Sequence, residues 1–250
     1  MSGLRTERDG SVYRVTLDRP ERRNAFDAAL IAELTEAFAL VGDARVVVLA
    51  GEGPSFCAGA DVEWQRLSIS LSHDENVEDA MRLYEMCEAI DTCPVPVIAR
   101  VQGHALGGGS GLVACADVAV ATPDAVFGFS EVRLGIIPAV ISPFVLQRIG
   151  PGAARRYFLT GERFDADIAL RIGLVHEIAA DPDEVVERLI AAILRGGPEA
   201  IRAAKLLISQ RPAGMETARI AAERRTSDEG QEGLRAFLDH REASFVEHRE

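Results

Sequence analysis

Apolar and polar positions change period several times along this chain, and each change predicts a change of element. Over residues 11–18 (SVYRVTLD), Tyr13, Val15 and Leu17 alternate with Arg14 and Thr16, the period of a half-buried strand, and Pro20 ends it. In residues 28–40, Leu30, Ile31, Leu34, Ala37 and Phe38 share one helical stripe. Residues 45–50 (RVVVLA) are continuously apolar, as parallel strands buried on both faces are. The polar segment 68–78 predicts a mobile surface loop, with a helix over 79–90. Pro94 and Pro96 then lead into a second apolar strand that begins at Val97.

Beyond that strand the pattern predicts a helix after a triple glycine, a short strand over 125–129 and a loop over 131–138. Helices are expected over 141–149, 153–160 and 165–172, the last closed by Gly173 at its C-terminal cap, before a strand in LVHEIA. From Asp181 onward only helices are predicted, over 182–195, 198–210, 213–226 and 228–247. Strands alternating with helices across short loops define an α/β class. Residues 1–195 are expected to form the core that carries the site, and 196–250 a helical C-terminal region.

Two loops hold the candidate chemistry. The first is GEGPSFCAGAD at 51–61, where Gly59 precedes Ala60 and Asp61. The second is the triple glycine Gly107, Gly108 and Gly109, placed between an apolar strand and a small-residue helix. Glycines at a helix start let the backbone take positive φ or let a ligand approach it closely. The unpartnered amides there carry the positive end of the helix dipole and can hold an anion or a carbonyl oxygen that becomes anionic. Gly109, Gly111 and Ala114 also fit a dinucleotide fingerprint, with Glu131 as its acid. That fingerprint should follow its strand directly, and here Gln102 to Gly107 intervene. No lysine follows the glycines as a phosphate-binding loop requires, and Leu112 denies Ser110 the flanking glycine of a nucleophile elbow.

Composition narrows the choice. The 250 residues carry a net charge of −12, which provides no basic footprint for nucleic acid or an anionic membrane. A small anionic ligand would need a local cluster such as Arg19, Arg22 and Arg23. Cys57, Cys87, Cys93 and Cys115 lack metal-ligand spacing and predict free thiols in a reducing, cytoplasmic setting. The segment MSGLRTERDG has acids and no apolar core, so neither a signal nor a transit peptide is expected.

With these motifs in order, the chain resembles the crotonase (enoyl-CoA hydratase/isomerase) superfamily nearly end to end. The resemblance lies in LDRPERRNAF at 17–26, FCAGAD at 56–61, VQGHALGGGSGLVACAD at 101–117, SEVRLGIIP at 130–138, LTGERFDADIALRIGLV at 159–175 and EGQEGLRAFLDHRE at 229–242. It implies a spiral of strand-strand-helix units and a helical C-terminal region that builds a homotrimer or a dimer of trimers. It also implies acyl-CoA substrates, with coenzyme A as part of the substrate and no separate cofactor or metal.

By the same resemblance, the amides of Ala60 and Gly108 form an oxyanion hole and Glu131 is the acid/base. Arg22, Arg23, Ala25, Ala58, Asp61, Val62, Leu106, Gly111 and Pro138 are expected to line the substrate path. A β-branched residue at Gly108 is expected to spare the fold while removing turnover. The family's hydratases present a second glutamate four residues after the glycine matched by Gly107, and here that position is Gly111. The space so left is expected to take a branched acyl group or a water molecule.

SEVRLGIIPAVISPF resembles the methylglutaconyl-CoA hydratase-like branch, which ranks hydration of a 2-enoyl-CoA first. A one-glutamate double-bond isomerase and a catalytically silent acyl-CoA binder are the alternatives. His104 and Trp64 are expected to pack rather than react, and Asp61 can cap the helix after it.

Overall fold

In the computed structural model, residues 3–249 are described. Residues 1, 2 and 250, which the limits of the two expected regions include, lie outside them. The elements run β1 (Leu4–Asp9), β2 (Val12–Leu17), α1 (Ala28–Ala39), β3 (Val46–Gly51), α2 (Val62–Ser68), α3 (His73–Asp91), β4 (Val97–Val101), β5 (His104–Leu106) and α4 (Gly108–Cys115). They continue with β6 (Val118–Ala121), β7 (Val126–Gly128), α5 (Ser142–Thr160), β8 (Arg163–Asp165), α6 (Ala166–Arg171) and β9 (Glu177–Ile178). Helices α7 (Pro182–Leu194), α8 (Pro198–Gln210), α9 (Met215–Thr226) and α10 (Asp228–Leu238) complete the chain.

The larger sheet has the order β1-β2-β3-β4-β6-β9, parallel throughout except for the hairpin β1-β2. Alternation along its strands explains the apolar run in β3. Val47 and Leu49 join the main core with α1 and α3, while Val46 and Val48 pack with Ile98 and Val120 against Val185, Val186, Ile190 and Leu194 of α7. Both faces of β3 are therefore dry, as its unbroken apolarity requires. A second sheet, β5-β7-β8, lies over the site, because the chain leaves β4 through Gln102 and Gly103 and starts a new pairing at His104.

Several expectations change. Residues 68–78 are mostly helical: α2 runs through Ser68, and α3 starts at His73. Ser72 Oγ accepts from the Glu75 amide at 3.3 Å, and the Glu75 carboxylate accepts from the Ser72 amide at 2.8 Å. This reciprocal cap was legible as S-x-x-E in the sequence. The helices expected over 141–149 and 153–160 form one element kinked at Gly150, where φ is 70°. Short strands β1, β5, β6 and β8 were not anticipated, and α10 stops at Leu238 rather than 247. Past it the chain turns back, and Arg45, buried beside β3, donates to the carbonyls of Gly196 and Phe245. No helix among the described residues is long and apolar enough to cross a membrane.

The loop after β2 is what brings the two candidate loops together. Arg23 and Asn24 both adopt left-handed backbone, with φ of 52° and 55°. Asparagine tolerates this region better than most residues. Asn24 is fully buried, and its Nδ2 donates to the carbonyls of Glu52 (2.9 Å) and Ser55 (2.8 Å) while its Oδ1 accepts from the Arg19 amide (2.8 Å). Its side chain so ties the 19–26 segment to the 51–56 loop. Asn24→Ala would strand two interior carbonyls at a backbone position unfavourable for alanine. We expect it to lower the unfolding free energy by about 2–4 kcal/mol, measured as a shift in urea midpoint; a loss below about 1 kcal/mol would contradict this role.

Candidate active site

The segment after Phe56 is held against two neighbours by backbone pairing. The Cys57 amide donates to the His104 carbonyl (2.9 Å) and Leu106 donates back to Cys57 (3.0 Å). On the other side Phe26 donates to Gly59 (2.9 Å) and Asp61 donates to Phe26 (2.9 Å). These bonds fix Ala60 beside the start of α4. Gly59 has φ of 93°, and a Cβ there would stand 2.6 Å from the Leu106 carbonyl oxygen and 3.8 Å from the Gly108 nitrogen. The two loops thus approach backbone to backbone, where no side chain fits.

Gly107 is the N-cap of α4, with φ of 53° and ψ of −121°, and its amide donates to the Gly128 carbonyl at 2.8 Å. Gly108 begins the helix under the ring of Phe26, whose Cε1 lies 2.9 Å from where a Cβ would sit. The expectation that a β-branched residue at Gly108 spares the fold is therefore corrected, because any side chain there must displace a fully buried phenylalanine. Among the described residues, neither the Ala60 nor the Gly108 amide donates to a protein acceptor. Both residues line a cavity of about 430 Å³. Two unpaired amides at one wall, one of them at a helix N-terminus, can stabilise an oxygen that gains negative charge.

Glu131 opens a 3-10 turn that ends at Leu134. Its Oε1 lies 3.1 Å from the position a Cβ would take on Gly107, so the glycine is what admits the carboxylate. Oε2 is buried without a hydrogen-bond partner in the protein. Burial raises the Glu131 carboxyl above the usual glutamate range, and its own backbone amide offsets only part of that shift. A carboxyl so poised can take up or release a proton near neutrality more readily than a solvated one.

Of the residues expected from sequence, the structure brings Ala58, Ala60, Leu106, Gly108, Glu131 and Pro138 to the cavity. Arg22, Arg23, Ala25, Asp61 and Val62 lie outside its lining. Asp61 accepts from the Glu63 and Trp64 amides as the N-cap of α2 and from Arg22 at 3.2 Å, while the Arg23 carbonyl accepts from Ala58 at 2.9 Å. Gly111 is the clear correction. It does not reach the cavity, and a Cβ there would meet Ile141 Cγ2 at 2.5 Å and Ile141 Cβ at 2.9 Å. The volume expected to receive an acyl branch or a water molecule holds the Ile141 side chain.

From sequence the acyl pocket is expected to draw on side chains between Trp64 and Asp79 and between Ile136 and Phe144. The structure selects Ile141 and a polar wall of Gln65, Ser68, Asn76 and Asp79 from those stretches, none of which the sequence singled out. The capping signal at Ser72 could have turned 73–78 from loop into helix and so placed Asn76 on a wall. Trp64 lines the cavity edge-on to Phe26, with ring centroids 6.0 Å apart. His104 sits on β5 with Nδ1 3.5 Å from Ser55 Oγ, outside the lining.

A cavity walled by two glycine loops, with free amides and a half-buried carboxyl beside them, can receive and polarise a carbonyl oxygen. The family model described as enoyl-CoA hydratase/isomerase matches residues 7–248, and the chain belongs to that family, within the crotonase superfamily. An enoyl-CoA hydratase structure from Shewanella pealeana is similar at 39% identity and a TM-score of 0.91, covering 97% of this chain and 95% of that one. AtuE of Pseudomonas aeruginosa is 36% identical with a TM-score of 0.94, covering 98% and 100%. The crotonyl-CoA hydratase of Syntrophomonas wolfei is 32% identical over 96% of each chain.

The raised Glu131 carboxyl has a consequence for stability. An acid with a raised pKa in the folded chain binds its proton more tightly there than when unfolded, so its contribution is present at low pH and lost as pH rises between the two values. Glu131→Gln removes that loss. The unfolding free energy of the variant relative to wild type should therefore increase as pH rises from the ordinary glutamate range towards neutrality, in urea titrations at several pH values. A flat or falling difference would show that the carboxyl is not held in its protonated form.

Proposed function

We propose that this protein is an enoyl-CoA hydratase, adding water across the C2=C3 bond of a 2-enoyl-CoA thioester with a branched or glutaconyl-type acyl group. The observation that carries this reading is the half-buried Glu131 carboxyl set over Gly107, the residue next to the unpaired Gly108 amide. The thioester oxygen sits between the Ala60 and Gly108 amides. Glu131 removes a proton from water as its oxygen bonds to C3, the π electrons move through C2 to the thioester oxygen, and the two amides hold the resulting enolate. The same carboxyl then returns its proton to C2 as the carbonyl reforms. One such amide is typically worth about 3–4 kcal/mol to the transition state.

Coenzyme A enters as part of the substrate, and no other cofactor or metal is required. Its phosphates lie near Arg22 and Arg23; the Arg22 side chain is half exposed, and the Arg23 guanidinium has no ion pair among the described residues. Pro138 and Ile137 supply apolar wall for the acyl group. Neither nucleic acid nor a membrane is a partner, and the setting is cytoplasmic. The assembly is a homotrimer or a dimer of trimers, a reading supported by the exposed Ile208, Met215, Phe237 and Leu238 of α8–α10.

A second reading, double-bond isomerisation by one glutamate, is favoured by Ile141 standing where a second acid would be. Purified protein should abolish the conjugated ultraviolet band of crotonyl-CoA if it hydrates, and should create that band from a 3-enoyl-CoA if it isomerises. Glu131→Gln should lower kcat at least ~100-fold with acyl-CoA affinity retained; turnover equal to wild type would overturn both readings.

A further inference from the structure

Gly107 and Gly111 lie one turn apart on the same face of α4, joined by the hydrogen bond from the Gly111 amide to the Gly107 carbonyl at 3.1 Å. Each lacks a side chain, and each absence is filled by a residue from the 131–141 segment. Over Gly107 it is the Glu131 carboxylate, with Oε1 3.1 Å from the Cβ position. Over Gly111 it is Ile141, at 2.5 Å through Cγ2, 2.9 Å through Cβ and 3.5 Å through Cδ1.

Ile141 cannot yield cheaply. It is 2% exposed, and the close atoms include its Cβ, which moves only with the backbone. That backbone is pinned as the N-cap of α5: the Val145 amide donates to the Ile141 carbonyl at 3.0 Å, and Ser142 donates to Ala139 through its amide (3.2 Å) and its hydroxyl (2.8 Å). A β-branched side chain also has few rotamers to which it could retreat. At the same time Ile141 lines the cavity, so it presents an apolar surface one helical turn from the acid.

We infer that Ile141 is the specificity-determining residue that fixes this as a one-carboxylate site, by filling the volume a side chain at position 111 would need and by walling the cavity next to Glu131 with hydrocarbon. The inference deepens the hydratase reading and rests on it for its catalytic arm. Its steric arm stands alone.

Two double-variant cycles test it. In the steric cycle, Gly111→Ala should lower Tm by about 3–10 °C, and in the Ile141→Gly background, which removes both the Cγ2 and the Cβ that oppose it, the same change should cost little or nothing. An equal drop in both backgrounds would overturn the proposal, whatever the activity. In the catalytic cycle, Gly111→Glu alone should lose at least ~10-fold in kcat/KM for crotonyl-CoA. Gly111→Glu with Ile141→Gly should exceed Ile141→Gly by at least ~10-fold, and its pH profile should gain a second carboxyl ionisation. A Gly111→Glu single variant as active as wild type would overturn the proposal. So would a folded double variant that binds acyl-CoA yet shows neither the gain nor the added ionisation. Absence of hydration in the wild-type protein with the steric coupling intact would instead count against the hydratase reading alone.

Discussion

The constraint on which the site depends is the approach of two backbones with nothing between them. The 57–60 segment is bonded on one side to β5 and on the other to Phe26, and Gly59 faces the Leu106 carbonyl where a Cβ would collide. These bonds and this contact together place Ala60 next to the first residue of α4. The surrounding architecture serves it: α4 packs beneath β5, Asn24 holds the 19–26 loop to the 51–56 loop, and Phe26 covers Gly108. Backbone amides fixed in this way cannot reorient when charge develops nearby, which is the physical basis of their value to a transition state.

A second dependence is electrostatic. The same enclosure that leaves the two amides without protein acceptors also leaves Glu131 Oε2 unpaired, and the cost of burying that carboxylate appears as its raised pKa. The carboxyl and the two unpaired amides thus share one low-dielectric pocket. Among the cavity-lining residues Asp79 is the other acid, and it is placed on α3 with Arg82 as its ion-pair partner at 3.8 Å. No second carboxyl lies beside the glycines among the described residues, and Ile141 fills the turn above Gly111.

Much of this was legible in the sequence, for identifiable reasons. Strand β3 announced its two buried faces through RVVVLA, and the glycine loops were compatible with close backbone approach or with a flexible loop, between which the structure decides. Glu131 was found through its motif, since a lone glutamate in a loop carries no periodic signal. What stayed hidden were contacts between distant segments. That Ile141 would enter the notch at Gly111, or that Phe26 would press on Gly108, depends on how α5 and the 19–26 loop settle on α4. No local pattern encodes it. The helix over 73–78 was hidden differently: its polarity suggested a loop, and only the Ser72–Glu75 cap marked its start.

The central claim is that a single carboxyl, raised by burial, moves the proton at both stages of the reaction. The measurement that tests it most directly is the pH dependence of kcat/KM for hydration of crotonyl-CoA by the wild-type protein, read beside the titration of Glu131 followed by carbon-13 NMR. One essential carboxyl ionisation is expected, lying above the ordinary glutamate range and coinciding with the NMR titration. Two coupled carboxyl ionisations, or a single one that does not follow Glu131, would contradict it.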